Sequence, residues 1–158
     1  MPNWTWKSKE TLKEEVVIFD LDGVISDANH RQHFLKSEPR DWDGFFRSCP
    51  ADLPIHAGAK LANLINAEKK IFILTARPIT IQRETLDWLE AHNISWDALI
   101  MRTEEDPQLS PEMKRVALYQ IRDMGHVPIL AFDDDPRNIE MYKEENIPTI
   151  YLYSGYYE

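Results

Sequence analysis

The stretch that decides the fold lies near the start of the chain: Val16-Val17-Ile18-Phe19-Asp20-Leu21-Asp22-Gly23-Val24. Its first four residues are apolar and mostly β-branched or aromatic, which is typical of a short strand buried on both faces. Two aspartates separated by one residue follow directly, and a glycine comes next. A buried strand followed by paired carboxylates predicts a central parallel strand with functional side chains at its carboxyl end.

Four further apolar runs repeat this pattern, and amphipathic stretches alternate with them. The runs are 71–74, 98–101, 127–132 and 149–153, and the helical patterns are about 59–68, 79–92, 111–124 and 136–145. Ser110 and Asp135, each followed by a proline, are the predicted N-caps of the last two helices. Strands that alternate with helices predict an α/β fold with a doubly wound, Rossmann-like sheet of five parallel strands.

The 158 residues are enough for one domain, which we expect to span 1–158. Residues 27–56 contain two short helical stretches and no strand pattern, and they interrupt the connection after the first strand. We predict that they form a small helical cap insertion over the functional edge of the sheet. Residues 1–14 are expected to form a surface arm, with Trp4 and Trp6 packing back onto the domain.

Composition excludes several classes of protein. The net charge of −9 argues against tight wrapping of long nucleic acid, because such binding depends on Lys and Arg at many phosphates. Cys49 is the single cysteine, so an internal disulfide framework is excluded. No apolar run approaches the ~18 residues of a membrane span, and the N-terminus lacks the pattern of a signal peptide. These features predict a cytoplasmic protein with no membrane partner.

The carboxyl ends of the predicted strands bring four carboxylates to one edge: Asp20, Asp22, Asp133 and Asp134. Like charges this close cannot all stay ionised without a counter-charge. A hard divalent cation with oxygen ligands supplies one, and Mg²⁺ is the common choice. Thr75, Arg77 and Lys114 add donors around the same position. Alone, each has an ordinary structural explanation, but together they predict a phosphoryl-transfer site.

The order of these residues resembles that of the haloacid dehalogenase superfamily of phosphohydrolases. The matching elements are Phe19-Asp20-Leu21-Asp22-Gly23-Val24, Leu74-Thr75-Ala76-Arg77, Lys114 and Phe132-Asp133-Asp134. By this resemblance Asp20 is the nucleophile that forms an aspartyl-phosphate, and Asp22 is the general acid and then the general base. Thr75 and Lys114 hold the phosphoryl oxygens. The implied ligands of Mg²⁺ are Asp20, the main chain at Asp22, Asp133 and Asp134.

A closer resemblance, to the phosphatase domains of phage-type polynucleotide kinase-phosphatases, lies between those elements. The stretches that carry it are 27–31, 41–46, 51–55, 75–78, 83–89 and 99–102. It implies that Arg31 and Arg77 bind the substrate phosphate. We expect Arg83 and Arg102 at the same edge, against a neighbouring phosphodiester or sugar. Ala76 stands where glycine is common, and no kinase-type phosphate loop occurs, so a separate kinase or ligase is an expected partner.

Two enzymatic functions and one non-enzymatic function fit these observations. The first is a Mg²⁺-dependent phosphatase of nucleic-acid ends, with the 3′-phosphate of a polynucleotide or oligonucleotide as substrate, and the short cap favours it. The second is a phosphatase of small nucleotides or phosphorylated metabolites, which the net charge favours. A receiver-like switch domain also gathers aspartates and a lysine, but there the lysine follows the acidic residues in the chain. Here Lys114 precedes the last acidic pair.

Overall fold

A computed structural model describes residues 4–7 and 14–158. Its strands are β1 (Thr5–Trp6), β2 (Glu15–Phe19), β3 (Ser26–Asp27), β4 (Leu53–Pro54), β5 (Lys70–Pro78), β6 (Ala98–Arg102), β7 (Val127–Asp133) and β8 (Thr149–Tyr151). Its α-helices are α1 (Trp42–Arg47), α2 (His56–Ile65), α3 (Gln82–Ala91), α4 (Ser110–Asp123) and α5 (Pro136–Glu144). Short 3₁₀ helices span Asn29–Leu35, Cys49–Ala51 and Ile79–Ile81.

The central sheet has six strands in the order β1-β6-β5-β2-β7-β8. The five predicted strands are present and parallel, and β2 lies between β5 and β7. The sheet has one strand more than the five predicted, because β1 pairs antiparallel with β6 through Thr5 and Leu99. Two residues are too few to show a hydrophobic period, so this strand could not be predicted from its sequence. The α/β, Rossmann-like class is confirmed.

Helices cover both faces of the sheet, as a doubly wound fold requires. Along β2, Val17 and Phe19 point to the face covered by α2 and α3. Val16 and Ile18 point to the opposite face, which α4 and α5 cover. Successive side chains of a strand alternate between its faces, so a continuous apolar run is needed only where both faces are buried. This is why β2 contains no polar residue after Glu15.

The N-terminal arm packs onto the second face, as expected. The rings of Trp4 and Trp6 lie against Phe72, with centroid distances of 6.0 and 5.5 Å. Residues 1–3 and 8–13 of the predicted arm lie outside the described residues.

The helix boundaries confirm one predicted cap and correct the other. A carboxylate oxygen of Asp135 accepts a hydrogen bond of 2.9 Å from the backbone N–H of Arg137, so Asp135 caps α5. Ser110 is the first residue of α4, whose N-cap position is occupied by Leu109 without a side-chain cap. The hydroxyl of Ser110 donates instead to Asn138, at 3.2 Å. A tertiary contact has taken the place of the local cap.

The segment 27–56 contains the predicted helical stretches, α1 among them, and also a feature that was not predicted. Strands β3 and β4 pair antiparallel at its two ends. The expectation of no strand in this segment was therefore wrong, because two-residue strands leave no alternation to detect. The segment joins the rest of the domain where α2 begins. A Cβ added to Gly58 would lie 1.7 Å from the carbonyl oxygen of Val24. The first turn of α2 thus packs directly on the loop that follows β2.

Among the residues that the structure describes, no helix has the length and the apolar character needed to cross a membrane.

Candidate active site

The central side chains of the site lie on or directly after three adjacent strands. Asp20 directly follows β2, Asp133 is the last residue of β7, and Thr75 lies in the carboxyl-terminal half of β5. The backbone N–H of Asp20 donates to the carbonyl of Phe132 at 2.9 Å, so the two strand ends leave the sheet together. The structure thus confirms that Asp20, Thr75 and Asp133 lie at one edge of the sheet.

Asp20, Asp133 and Asp134 form a buried carboxylate cluster. One oxygen from each lies within 4.8 Å of the others, and none of the three residues is more than 7% exposed. The ammonium of Lys114 lies 2.6 Å from a carboxylate oxygen of Asp133 and 3.1 Å from one of Asp20. The cluster therefore holds three carboxylates and one ammonium group, which contacts two of them, and this leaves uncompensated negative charge.

Burial and mutual repulsion move the pKa values in this cluster. Burial, followed by the charge of Asp133, raises the pKa of Asp20 well above its usual range. The same two causes raise the pKa of Asp134 to about 6. Burial lowers the pKa of Lys114, but Asp133 and Asp20 outweigh it and hold that pKa well above the ordinary value. The lysine stays charged, so the cluster needs a further positive charge or bound protons.

The donor set fits a divalent cation. Both carboxylate oxygens of Asp134 are buried, and they accept no hydrogen bond from the described part of the chain. Asp133, in contrast, accepts one from the backbone N–H of Asp135 at 2.9 Å. A Cβ at Gly23 would meet Asp134 at 2.1 Å, so the glycine lets the loop after β2 come this close. Hard divalent ions prefer such carboxylate oxygens.

The carboxylate of Asp22 lies in a second cluster, with Arg31 and Arg77. One of its oxygens is 2.7 Å from Nη2 of Arg31 and 2.6 Å from Nη2 of Arg77. Both arginines are at most 1% exposed. Burial raises the pKa of Asp22, but the charges of Arg77 and Arg31 and their hydrogen bonds outweigh it and lower the net pKa. The predicted role of Asp22 as a metal ligand through its main chain stays a prediction.

Asp52 completes this second cluster, and the sequence reasoning gave it no role. Its buried carboxylate accepts hydrogen bonds from Arg31 Nε at 2.9 Å and Arg31 Nη2 at 2.7 Å. It also accepts from Arg77 at 3.2 Å and from the hydroxyl of Ser26 at 2.5 Å. His30 lies 2.7 Å from its other oxygen. Two buried arginines beside one aspartate were a signal that another acidic partner must exist.

The structure separates the two remaining predicted arginines. Arg102 donates to the carbonyl oxygens of Ala76 at 3.3 Å and Gln108 at 2.5 Å. It lines the same cavity as Asp20 and Asp22. The side chain of Arg83 is 91% exposed, beside Asp87 on α3, and it does not line that cavity within the described residues. The structure therefore does not bring Arg83 into this cavity with Arg102. Its position on α3 turns it towards solvent.

Both clusters reach one cavity of about 1120 Å³, the catalytic cavity, although Arg31, Asp133 and Asp134 are not among its lining residues. Its floor includes Asp20, Asp22, Thr75, Arg77 and Lys114. Its walls come from α1, from the loop before α4 and from the chain end at 156–158. Beyond the floor its lining carries both signs, with Lys36, Arg40, Arg102 and Arg137 basic and Asp106, Asp135 and Glu158 acidic. Asp20 and Lys114 of the first cluster and Asp22 and Arg77 of the second thus face one solvent-accessible space.

Comparisons with known proteins agree with this arrangement. The family model described as the polynucleotide kinase PNKP phosphatase domain matches residues 14–157. A solved Pnkp1/Rnl/Hen1 complex contains a similar chain, with 21% identity, a TM-score of 0.76, and coverage of 94% of this chain and 48% of that one. A second structure, of the Pnkp1/Rnl/Hen1 RNA repair complex, contains a chain with 20% identity and a TM-score of 0.77. That match covers 94% of this chain and 45% of the other. This chain therefore spans about half the length of those relatives.

A smaller structural relative covers a larger share of its own length. It is a haloacid dehalogenase-like hydrolase from Streptococcus pneumoniae, with 15% identity and a TM-score of 0.63. The match covers 86% of this chain and 83% of that one. At these identities the solved structures establish the fold alone. No curated protein matches the sequence.

Proposed function

The chain belongs to the family of PNKP-type phosphatase domains within the haloacid dehalogenase superfamily, and on that basis we propose that it is a Mg²⁺-dependent 3′-phosphatase of polynucleotide or oligonucleotide ends. The observation that carries this proposal is the pairing of two buried clusters in one cavity. One holds the nucleophile, Asp20, beside Lys114. The other holds Asp22 between two arginines.

Asp20 is the proposed nucleophile. One of its carboxylate oxygens attacks the phosphorus, an aspartyl-phosphate forms, and the bond between phosphorus and the leaving sugar oxygen breaks. Asp22 must be protonated at this step, against the effect of Arg77 and Arg31 on its pKa, and it gives that proton to the leaving oxygen. Asp22 then takes a proton from a water molecule, whose oxygen attacks the phosphorus and releases inorganic phosphate. Asp20 is regenerated, and each proton that Asp22 gives is recovered from the water.

Thr75 and Lys114 are the proposed holders of the phosphoryl oxygens, because both are buried on the cavity floor beside Asp20. Asp20, Asp133, Asp134 and the main chain at Asp22 would hold Mg²⁺. When bound, Mg²⁺ supplies positive charge that permits Asp20 to be ionised and that polarises a phosphoryl oxygen.

Arg31 and Arg77 are the proposed binders of the substrate phosphate. Their guanidinium groups already contact Asp22, which they also hold in place. Because Arg77 lines the cavity, it can contact both Asp22 and the substrate phosphate, which orients the leaving oxygen towards Asp22, while Arg31 holds Asp22 from behind.

A polymer end as substrate is supported by the cavity walls. We propose that residues 27–56 act as a cap within a single domain spanning 1–158. This short cap leaves the cavity open, and basic side chains line the cavity at Lys36, Arg40 and Arg102. In a protein of net charge −9, these basic side chains favour a phosphodiester chain, which offers further phosphates, over a phosphorylated metabolite with a single phosphate.

The proposal extends to partners and location. Similar chains occur in structures of the Pnkp1/Rnl/Hen1 complex, one of which is described as an RNA repair complex. We infer that a kinase or ligase activity acts with this phosphatase on the same nucleic-acid ends, and that the protein works in the cytoplasm.

Steady-state turnover tests the proposal. We expect a higher kcat/KM for a 3′-phosphorylated oligonucleotide than for its 5′-phosphorylated isomer or for a free 3′-mononucleotide, and loss of activity in excess chelator. Asp20→Asn should abolish turnover. Arg102→Ala should penalise oligonucleotides more than mononucleotides, whereas Arg83→Ala, at a 91% exposed side chain outside the catalytic cavity, serves as the matched control. Equal or lower kcat/KM for the oligonucleotide would establish the small-nucleotide phosphatase instead.

A further inference from the structure

An exposed aromatic pair stands at the mouth of the catalytic cavity. Trp42 opens helix α1 and is 48% exposed, although its indole is one of the largest apolar groups in the chain. Its ring stacks on Phe46, with a centroid distance of 5.9 Å and 22° between the planes. Phe45 supports both rings edge-on, at 6.0 and 5.1 Å. The indole is therefore held in a fixed orientation while much of its surface remains in water.

Trp42 and Phe46 line two cavities at once. They form part of the wall of the catalytic cavity. They also line a second cavity of about 670 Å³, which continues beside α1 towards the end of β5 and the start of α3. This volume lies within the roughly 300–1,000 Å³ typical of small-molecule sites. The aromatic pair thus connects the phosphate-handling floor with an adjoining space.

The polar groups of the second cavity differ from those of the first. Asp43 and Glu84 offer carboxylate acceptors, and Thr80 offers a hydroxyl. The one cationic lining side chain among the described residues, Arg47, lies 3.0 Å from Asp43 and is neutralised by it. Such a lining offers a second phosphate no unpaired cation among the described residues. It suits a flat, uncharged ring that carries hydrogen-bond donors on its edge.

We propose that Trp42, supported by Phe46, is the stacking platform for the nucleobase of the nucleotide that carries the terminal phosphate, and that the second cavity receives the edge of that base. This inference rests on the proposed function. It names Trp42 as a substrate-binding residue that selects nucleic-acid ends over other phosphate esters. Stacking on an aromatic face tolerates every base, because each base has a π-face.

The test compares two 3′-phosphorylated oligonucleotides that differ only in having or lacking the terminal base. We expect Trp42→Ala to raise KM for the substrate with the base by roughly 5- to 150-fold, the range for loss of one base-aromatic stack. Its KM for the abasic substrate should change less than twofold. Trp42→Phe should recover most of the loss. Tyr119→Ala, at an equally exposed ring on α4 that lines neither cavity among the described residues, is the matched control.

An equal effect of Trp42→Ala on both substrates, or no effect on either, would overturn the platform while leaving the phosphatase intact. A protein that hydrolyses no phosphate ester would overturn the proposed function instead. In that case binding still decides the inference, through quenching of tryptophan fluorescence by a nucleoside 3′,5′-bisphosphate. Quenching that Trp42→Phe removes supports the platform, and quenching that persists in Trp42→Phe refutes it.

Discussion

Asp52→Asn tests whether the buried arginine cluster depends on the charge of Asp52. The carboxylate is fully buried and accepts hydrogen bonds from both arginines, Arg31 and Arg77. Asparagine keeps the shape of the side chain and one acceptor oxygen, but it removes the negative charge. Two buried guanidinium groups would then share Asp22 alone. The substitution therefore leaves an uncompensated positive charge on two guanidinium groups whose side chains are buried.

The magnitude follows from that imbalance. Removing one partner of a buried ion pair costs about 3–5 kcal/mol, since the remaining charge stays desolvated. Domains of this size are stable by roughly 5–15 kcal/mol, so the loss is a large part of the free energy of unfolding. At about 2–4 °C per kcal/mol, Tm should fall by about 6–20 °C. Turnover should fall as well, because Asp22 and both arginines lose their fixed positions.

Urea denaturation followed by circular dichroism at neutral pH measures the change. The matched control is Asp43→Asn, which breaks the ion pair with Arg47 at a side chain that is 74% exposed. Exposed pairs contribute about 0–1 kcal/mol, so the control should hardly shift the midpoint. A loss below 1 kcal/mol for Asp52→Asn, with an unchanged denaturant slope, would refute the electrostatic account of this cluster.

Three further predictions concern packing, protonation and the lysine. Gly58→Ala should lower the free energy of unfolding by at least about 1–3 kcal/mol, because its Cβ would lie 1.7 Å from a backbone oxygen; an unchanged urea midpoint would contradict this. In excess chelator, the free energy of unfolding should fall as pH rises from about 4 through 6. The reason is that folding raises the pKa of Asp134 to about 6, so in this range the folded state keeps a proton that the unfolded chain has released. Asp134→Asn should reduce that slope, and a slope of the opposite sign in the parent protein would refute the reasoning. Lys114→Met should lower kcat by about 10²–10³-fold, as loss of a preorganised charge does, and a kcat within threefold of the parent value in a single-turnover assay would exclude its role.

The five parallel strands and the main cluster could be predicted because their causes are local. A strand buried on both faces must be apolar without interruption, and parallel strands carry their ends to the same edge. The positions of Asp20, Thr75 and Asp133 after three such runs therefore placed them together. The α/β class, the five parallel strands and the carboxylate cluster all follow from this one rule.

Short elements and side-chain direction were decided by tertiary structure. Strand β1 exists only because Thr5–Trp6 meets the free edge of β6. No local pattern around Arg31 or Arg83 predicts which of the two is buried, yet Arg83 points to solvent and Arg31 is fully buried. The difference arises because Arg31 meets Asp22 and Asp52, whereas Arg83 faces Asp87 on its own helix.

The sequence by itself thus determined which residues stand at the ends of the strands, since burial imposes a pattern on consecutive residues. Only the tertiary structure decided which charges neutralise one another. Asp52 lies 21 positions from Arg31 and 25 from Arg77 along the chain, and no periodicity links them. A buried guanidinium is stable only beside a carboxylate, and the fold alone brings those groups within hydrogen-bonding distance.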